Sequence, residues 1–493
     1  FENKMKSFTF FRTEEGNYYL YNSRKSSLLN VHPVIKVIEA LDNNDGEETL
    51  FAKIMNQNLE IGDDEKRLLL DKYLFLRDNG FFEEINEEDF IDGKITPEIV
   101  EKQIAFIDNV LFQVTGNCNL RCQYCCYGDM YSDKVEKKNL SFETVETVLN
   151  YLMSLWTSNK NLSYEHPIRI GFYGGEPLVN FSLIEKIVSL CESITERTGL
   201  VFIYSMTTNA LLLDRYKDFI VRHNFSLLIS MDGNEAHNVL RIKPDGEQSF
   251  QTVYENVKKL QQQYPDYFQN KVEFNSVLNS HSSVDDIHDF IFNEFGKIPL
   301  IETISHTALS DEQKYQEIAK DYKESPEMMI KRKDRSPVYK ELGFFFYYQL
   351  DNAYKHYCEV LYGTIKQKKR IPTGTCLPFF KKMFVTADNK LLTCERISLH
   401  HVLGTVDNEV HLNFGEIASI YNSYYEKMRS QCRGCYLIEN CGECFLQFPL
   451  KNGVPVCHVK MNEIQYQHYL SEIFGVLEKN PSLFEEVNKM VFA

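Results

Sequence analysis

The chain has 493 residues, 43% hydrophobic and 25% charged, which is the balance of a folded protein of about three domains. With 54 Lys and Arg against 70 Asp and Glu the formal net charge is −16, which argues against a broad nucleic-acid footprint, and no apolar run is long enough to span a membrane. The opening stretch, FENKMKSFTFF, lacks a cleavable signal pattern, and many of the thirteen cysteines cluster at metal-ligand spacing. The expectation is a cytoplasmic protein that binds no nucleic acid and no membrane, carries metal sites rather than disulfides, and works in an anaerobic setting.

Residues 1–105 read as a small N-terminal domain. Two β-like runs, 8–12 and 18–21, flank the turn Glu14-Glu15-Gly16-Asn17. A helix starts at Pro33 with Val34, Ile35, Val37, Ile38 and Leu41 on its apolar face, and a later helix carries Leu68, Leu69, Tyr73, Leu74 and Leu76 before a stop at Gly80. A hairpin plus helices in under 100 residues predicts a winged-helix-like module.

From 106 the rhythm becomes strand, loop, helix, repeated to about 310. Strands are expected at 111–115, 168–172, 201–207, 226–231 and 272–278, and the polar and glycine motifs fall at their C-terminal ends. That alternation predicts an α/β fold with a parallel sheet or barrel whose ligands gather at those ends. Residues 311–370 read as a bridging segment, with a charged, exposed insertion at 310–340 and an aromatic helix at 344–357. Residues 371–460 are cysteine-rich, and 461–493 read as helical.

Cys118-Asn-Leu-Arg-Cys122-Gln-Tyr-Cys125 is a C-x3-C-x2-C loop. Three thiolates ligate three irons of a [4Fe–4S] cluster and leave the fourth open to a chelating cofactor, and Tyr124 adds a stacking surface. Zinc suits three close cysteines with no nearby fourth ligand poorly. Cys126, out of register, and Cys191, on an apolar helix face, read as packed small hydrophobes.

This loop resembles that of radical S-adenosylmethionine (SAM) enzymes, and the resemblance continues downstream. Gly174-Gly175-Glu176-Pro177 is similar to the family's second-strand motif, which contacts the cofactor's amino group. Asn209 ends the third strand. Ser230-Met-Asp232-Gly233 followed by His237-Asn238 and Arg241 resembles a stretch of the peptide-modifying subgroup in which the serine contacts the ribose and the arginine the methionine carboxylate. Asp232 and His237 carry structural and functional readings equally. The resemblance implies a partial (β/α)6 TIM-like barrel, a SAM cofactor cleaved to a 5′-deoxyadenosyl radical, and an electron donor such as flavodoxin or ferredoxin.

The C-terminal pattern is Cys376-x17-Cys394, Cys432-x2-Cys435-x5-Cys441-x2-Cys444, then Cys457. Alone it reads equally as zinc knuckles. Behind a radical loop it resembles the SPASM extension, which carries two auxiliary [4Fe–4S] clusters, though with Asn389 where the family has glycine and a fourth pair one residue narrower. By that resemblance Cys432, Cys435, Cys441 and Cys457 hold the distal cluster, and Cys376, Cys394 and Cys444 the proximal one. Cys358 is either a fourth proximal ligand or a packed helical residue. Glu395 matches the position at which sulfatase-maturing relatives place a proton-accepting aspartate; otherwise it is a surface glutamate.

The N-terminal module resembles the leader-binding domain of ribosomal-peptide maturases, which capture an extended leader by adding a strand to a sheet edge. The leading expectation is therefore an oxidoreductase that cross-links a precursor peptide bound through its leader, with a thioether as the favoured bond. The alternatives are a sulfatase-type maturase, a carbon–carbon or carbon–oxygen cross-linking enzyme, and a non-catalytic iron–sulfur electron carrier.

Overall fold

The computed structural model describes residues 4–23, 25, 27–44, 46–86, 94–158, 166–332, 335–337, 339–343, 375–438 and 441–487. The expected helix at 344–357 and Cys358 lie outside the described residues.

Strands β1 (Lys4–Lys6), β2 (Phe8–Arg12), β3 (Tyr18–Asn22), β4 (Ser27–Asn30) and β5 (Glu84–Asn86) belong to the N-terminal region. β2, β3 and β4 form an antiparallel sheet in that order, and β1 pairs with β5. Alternation along β2 gives this sheet two different faces. Phe8, Phe10 and Leu20 pack with residues of the helices Val34–Leu41, Glu47–Met55 and Asp63–Asp78. Phe11 and Tyr21 face the helix Glu463–Lys479, joining Tyr466, Leu470, Ile473 and Phe474 in a second core. Ser471 Oγ donates to Arg12 O at 2.8 Å, and Tyr19 donates to Glu478 at 2.6 Å. The N-terminal sheet is thus sandwiched between its own helices and a helix more than 400 positions away in sequence.

The parallel strands are β6 (Asn109–Thr115), β7 (Ile168–Gly174), β8 (Phe202–Thr208), β9 (Ser226–Ser230), β10 (Val272–Leu278) and β11 (Leu300–Thr303), each hydrogen-bonded to the next. The first five match the expected strands closely. The sheet continues on the far side of β6 with β12 (Lys382–Val385), parallel to it, and then with the antiparallel strands β13 (Lys390–Leu392), β14 (Gly404–Val406) and β15 (Val410–Leu412). One ten-stranded sheet therefore joins the α/β barrel half to the start of the cysteine-rich region. Asn389, in the β12–β13 turn, has φ 63°, the left-handed conformation that favours glycine.

Two expectations need correction. The helix Pro97–Ala105 belongs to the barrel's packing: Val100 and Ile104 join the main core, and Asn422 of the helix Phe414–Cys432 bonds both backbone groups of Ile95. The packing therefore runs across position 105. The segment 310–340 is exposed over much of its described length, as expected, but it is anchored by buried positions rather than free. Arg332 is fully buried, paired with buried Glu324 at 2.9 Å and donating to Pro299 O, while Tyr315, Ile318 and Met328 are also buried. Residues 304–310 run beside the exit of the first loop, where Tyr131 bridges Leu309 and Ser132 N donates to Ala308 O at 2.8 Å.

Candidate radical-cofactor site

The loop after β6 is held from three sides. At its root, Gly175 N donates to Thr115 O and Glu176 N to Asn117 O, both at 2.9 Å. A Cβ on Gly174, whose φ is 144°, would lie 2.2 Å from Thr115 O, and one on Gly175 would lie 2.3 Å from Asn117 O. The two glycines make room for the loop's own backbone. At its middle, Arg121 N donates to Ile242 O and Gln123 N to Leu240 O. At its exit stand residues 304–310.

Glu176 is 1% exposed and braces two strand ends. Its Oε1 accepts from Thr208 Oγ1 (2.7 Å) and Leu178 N (3.1 Å), and its Oε2 from Asn209 N (2.7 Å). Burial pushes its carboxyl up to about 7 against the pull of these donors. Asn209 Nδ2 donates to Asn119 and approaches Cys118 Sγ at 3.8 Å. Thr208, which the sequence reading missed, is marked only by its place at the end of β8.

Tyr124, Asp232 and Arg241 form one buried unit. The Tyr124 hydroxyl donates to Asp232 Oδ2, Arg241 Nη2 donates to Asp232 Oδ1 at 2.9 Å, and the guanidinium lies 5.4 Å from the Tyr124 ring centroid. Arg241 Nε is buried and finds no partner among the described residues. Gly233 has φ 114°, and a Cβ there would meet His237 Nδ1 at 2.6 Å, so this turn needs glycine. Ser230 ends β9 beside Asn275, whose buried Oδ1 is also unpartnered among the described residues.

Cys118, Cys122 and Cys125 act on one another electrostatically. Burial pushes the Cys118 thiol up to about 11 and that of Cys122 up to about 12. These buried thiolates call for a positive partner, and iron supplies one. Among the described residues no three His, Cys, Asp or Glu side chains converge as ligands of a single metal ion do; a four-iron cubane instead takes its thiolates at separate corners. The orphaned Arg241 Nε offers a donor to a carboxylate. The residues therefore fit an iron–sulfur cluster with SAM. Cys126 is not packed as expected: it is exposed, its thiol raised by a hydrogen bond with Cys125 and by burial, with Asp133 among the charges acting on it.

Residues 112–291 match the Radical SAM superfamily. This chain carries a radical SAM domain. The curated relatives include the radical SAM cyclopropyl synthase TigE of Paramaledivibacter caminithermalis, 26% identical over 57% of this chain and 59% of its own length. Another is the cysteine-type anaerobic sulfatase-maturating enzyme of Clostridium novyi, 29% identical over 39% of this chain and 50% of its own. The chain spans about half the length of the curated relatives it matches. Among solved structures, native anSMEcpe with bound AdoMet is 19% identical, covers 78% of this chain and all of its own, and has a TM-score of 0.50, a likeness of fold. The radical SAM domain at 112–291 is thus similar in sequence to those of a cyclopropyl synthase and a sulfatase-maturating enzyme, and a domain of that family implies SAM and a [4Fe–4S] cluster.

Beyond the radical SAM domain the structure gathers cysteines in two places. Cys376 and Cys394 flank the β12–β13 hairpin, and Cys444 joins them: Phe445 N donates to Thr375 Oγ1 at 2.9 Å, and Phe379 N to Thr393 Oγ1 at 2.8 Å. Burial raises all three thiols, Cys394 to about 11 and Cys444 to about 12, and each acts on the others. At the end of the helix Phe414–Cys432, Gln431 bonds both Pro455 O and Cys457 N, and Cys435 N bonds Cys432 O. Cys441 is half-buried, and Cys191 is fully buried in the core. Glu395 is largely buried rather than a surface residue, paired with Lys382 at 3.1 Å, and its charge acts on Tyr127 and Tyr173 beside the radical loop. Among the described residues no helix is long and apolar enough to cross a membrane.

Proposed function

We propose that this enzyme modifies a ribosomally made precursor peptide by closing an intramolecular cross-link, a thioether between a cysteine sulfur and a carbon. The observation that carries the peptide reading is the N-terminal sheet: β4 pairs only with β3 among the described residues, which leaves its outer edge open to an added strand. On the helix Asp63–Asp78, Leu68 and Phe75 are 68% and 66% exposed, seven positions apart on one face, and supply apolar contacts for a leader. A solved neighbour of the same fold holds AdoMet and the Kp18Cys peptide.

In this reading Cys118, Cys122 and Cys125 hold the radical cluster. With SAM bound at that cluster, one electron from a flavodoxin or ferredoxin would allow cleavage to a 5′-deoxyadenosyl radical, the chemistry that would remove a hydrogen from the substrate. Gly174, Gly175 and Glu176 fix the loop, Asn209 and Ser230 face the cofactor, and Arg241 offers its free Nε to the methionine carboxylate. Tyr124 holds Asp232, which holds Arg241. Glu395 accepts the substrate proton, with Lys382 stabilising the carboxylate until then. Cys376, Cys394 and Cys444 hold a proximal auxiliary cluster, and Cys432, Cys435, Cys441 and Cys457 a distal one; these take the spare electron. Three ligands at the proximal site leave an iron open to a substrate thiolate.

The test is anaerobic turnover of short cysteine-containing peptides encoded beside the gene, followed by thiol alkylation and mass spectrometry. A thioether gives a product two hydrogens lighter with its cysteine blocked. The same mass loss with a free cysteine overturns the thioether in favour of a carbon–carbon or carbon–oxygen link. The match to the Clostridium novyi relative supports a second reading, oxidation of a cysteine or serine to an aldehyde, which a hydrazide probe would reveal.

A further inference from the structure

Tyr421 and Tyr425 lie four residues apart on the inner face of the helix Phe414–Cys432, and both are 0% exposed. A buried hydroxyl nearly always finds a hydrogen-bond partner, because leaving one unmade costs roughly 1–3 kcal/mol. The Tyr425 hydroxyl has none among the described residues, whereas that of Tyr421 has Thr393 within reach.

What surrounds them is the proximal cysteine site. Both rings stand edge-on to Phe445, Tyr421 at 5.7 Å and Tyr425 at 5.5 Å between centroids. Phe445 directly follows Cys444, and its N–H is bound to Thr375, which directly precedes Cys376. After burial, the charges that raise Tyr425 are those of Cys444 and Cys376, and Cys444 and Cys394 are among those that raise Tyr421. Phenylalanine would supply the same packing without an orphaned oxygen. A buried, unpartnered hydroxyl donor beside a group of thiols wants an acceptor, and thiolate or sulfide at a cluster is one.

We infer that Tyr425, with Tyr421 beside it, donates a hydrogen bond to the sulfur of the cluster held by Cys376, Cys394 and Cys444 and so raises its reduction potential. The inference rests on the reading above that these cysteines hold a cluster. A donor to cluster sulfur favours the reduced state, which carries one more negative charge. Tyr425 tunes the auxiliary cluster and touches neither SAM nor substrate.

The experiment is potentiometric titration followed by electron paramagnetic resonance, with iron analysis, on the full reconstituted chain and on Y425F and Y421F. The expected result is wild-type iron content, an auxiliary midpoint lowered by roughly tenfold in the reduction equilibrium, about 59 mV for one electron, and an unmoved radical cluster in the same sample. An auxiliary midpoint unchanged in both variants, at full iron, overturns the hydrogen bond and leaves the cluster reading standing. A chain in which Cys118, Cys122 and Cys125 are all alanine and which binds no iron removes the acceptor and overturns both. Should Y425F lose iron, Y421F carries the same measurement.

Discussion

The two cysteine centres are built in opposite ways. The radical loop is eight residues long, and its ligands are set by sequence spacing; the rest of the fold braces it, through Gly174–Glu176 at the root, Leu240–Ile242 in the middle and residues 304–310 at the exit. The proximal C-terminal site has no such loop. Cys376, Cys394 and Cys444 come from three separate stretches, drawn together by two threonine hydroxyls and a sheet that continues the barrel. In the first the motif is local and its supports are distant. In the second the cysteines themselves are distant in sequence, so the supports define the site.

The largest expected effect separates the two. Cys125→Ala should abolish 5′-deoxyadenosine formation, whereas Cys444→Ala should retain it and lower iron content by about four per chain; equal loss of cofactor cleavage in both would erase the distinction. Next, Asp232→Ala strands the buried Arg241 charge and should cost about 3–5 kcal/mol in a denaturant melt, while a loss under 1 kcal/mol would mean the triad does not brace the loop. A sharper contrast comes from two glycines. Gly175→Ala drives a Cβ into the Asn117 carbonyl and should cost about 1–3 kcal/mol and deplete the radical cluster. Gly442→Ala, with nothing within 4 Å of its Cβ, should stay within about 0.5 kcal/mol.

The next effect is on pH. Burial lifts Glu176 to about 7 from 4.5, so between those values the folded chain keeps a proton that the unfolded chain has released. Stability from this group falls as pH rises through that window and is level above it. Glu176→Gln should flatten the slope, and an unchanged profile would show that the carboxyl stays ionised. Smallest for stability, Leu68→Asp and Phe75→Asp sit on an exposed face and should leave the melt unchanged while weakening leader binding several-fold by fluorescence anisotropy.

How much could be read in advance follows the same division. Strands β6 to β10 and the loop between β6 and the next helix were legible because long apolar runs alternate with polar ends. β11 to β15 are three or four residues each, too short for periodicity to register. The charges of 310–340 read as a solvated surface because sequence does not reveal that Arg332 and Glu324 satisfy one another inside. The sequence does not reveal that the glycines of the second-strand motif also make room for the chain's own loop. Tyr425, with its orphaned hydroxyl, and Tyr421 look in sequence like ordinary core aromatics on a helix face.

The two-faced N-terminal sheet has a consequence for biosynthesis. Arg12 and Ser471, 459 positions apart, are hydrogen-bonded, and Phe11 and Tyr21 share a core with Phe474, Tyr466 and Cys435. On the ribosome the sheet emerges more than 400 residues before the helix Glu463–Lys479 and folds against its own helices, but its aromatic second face stays bare until that helix follows, tens of seconds at ordinary elongation rates. That face is a sticky surface that a chaperone or a premature partner competes for until the later helix arrives. Because Cys435 lies in the same core, closing the sheet also orders that cysteine, so the C-terminal cysteine region and the N-terminal sheet complete their packing together.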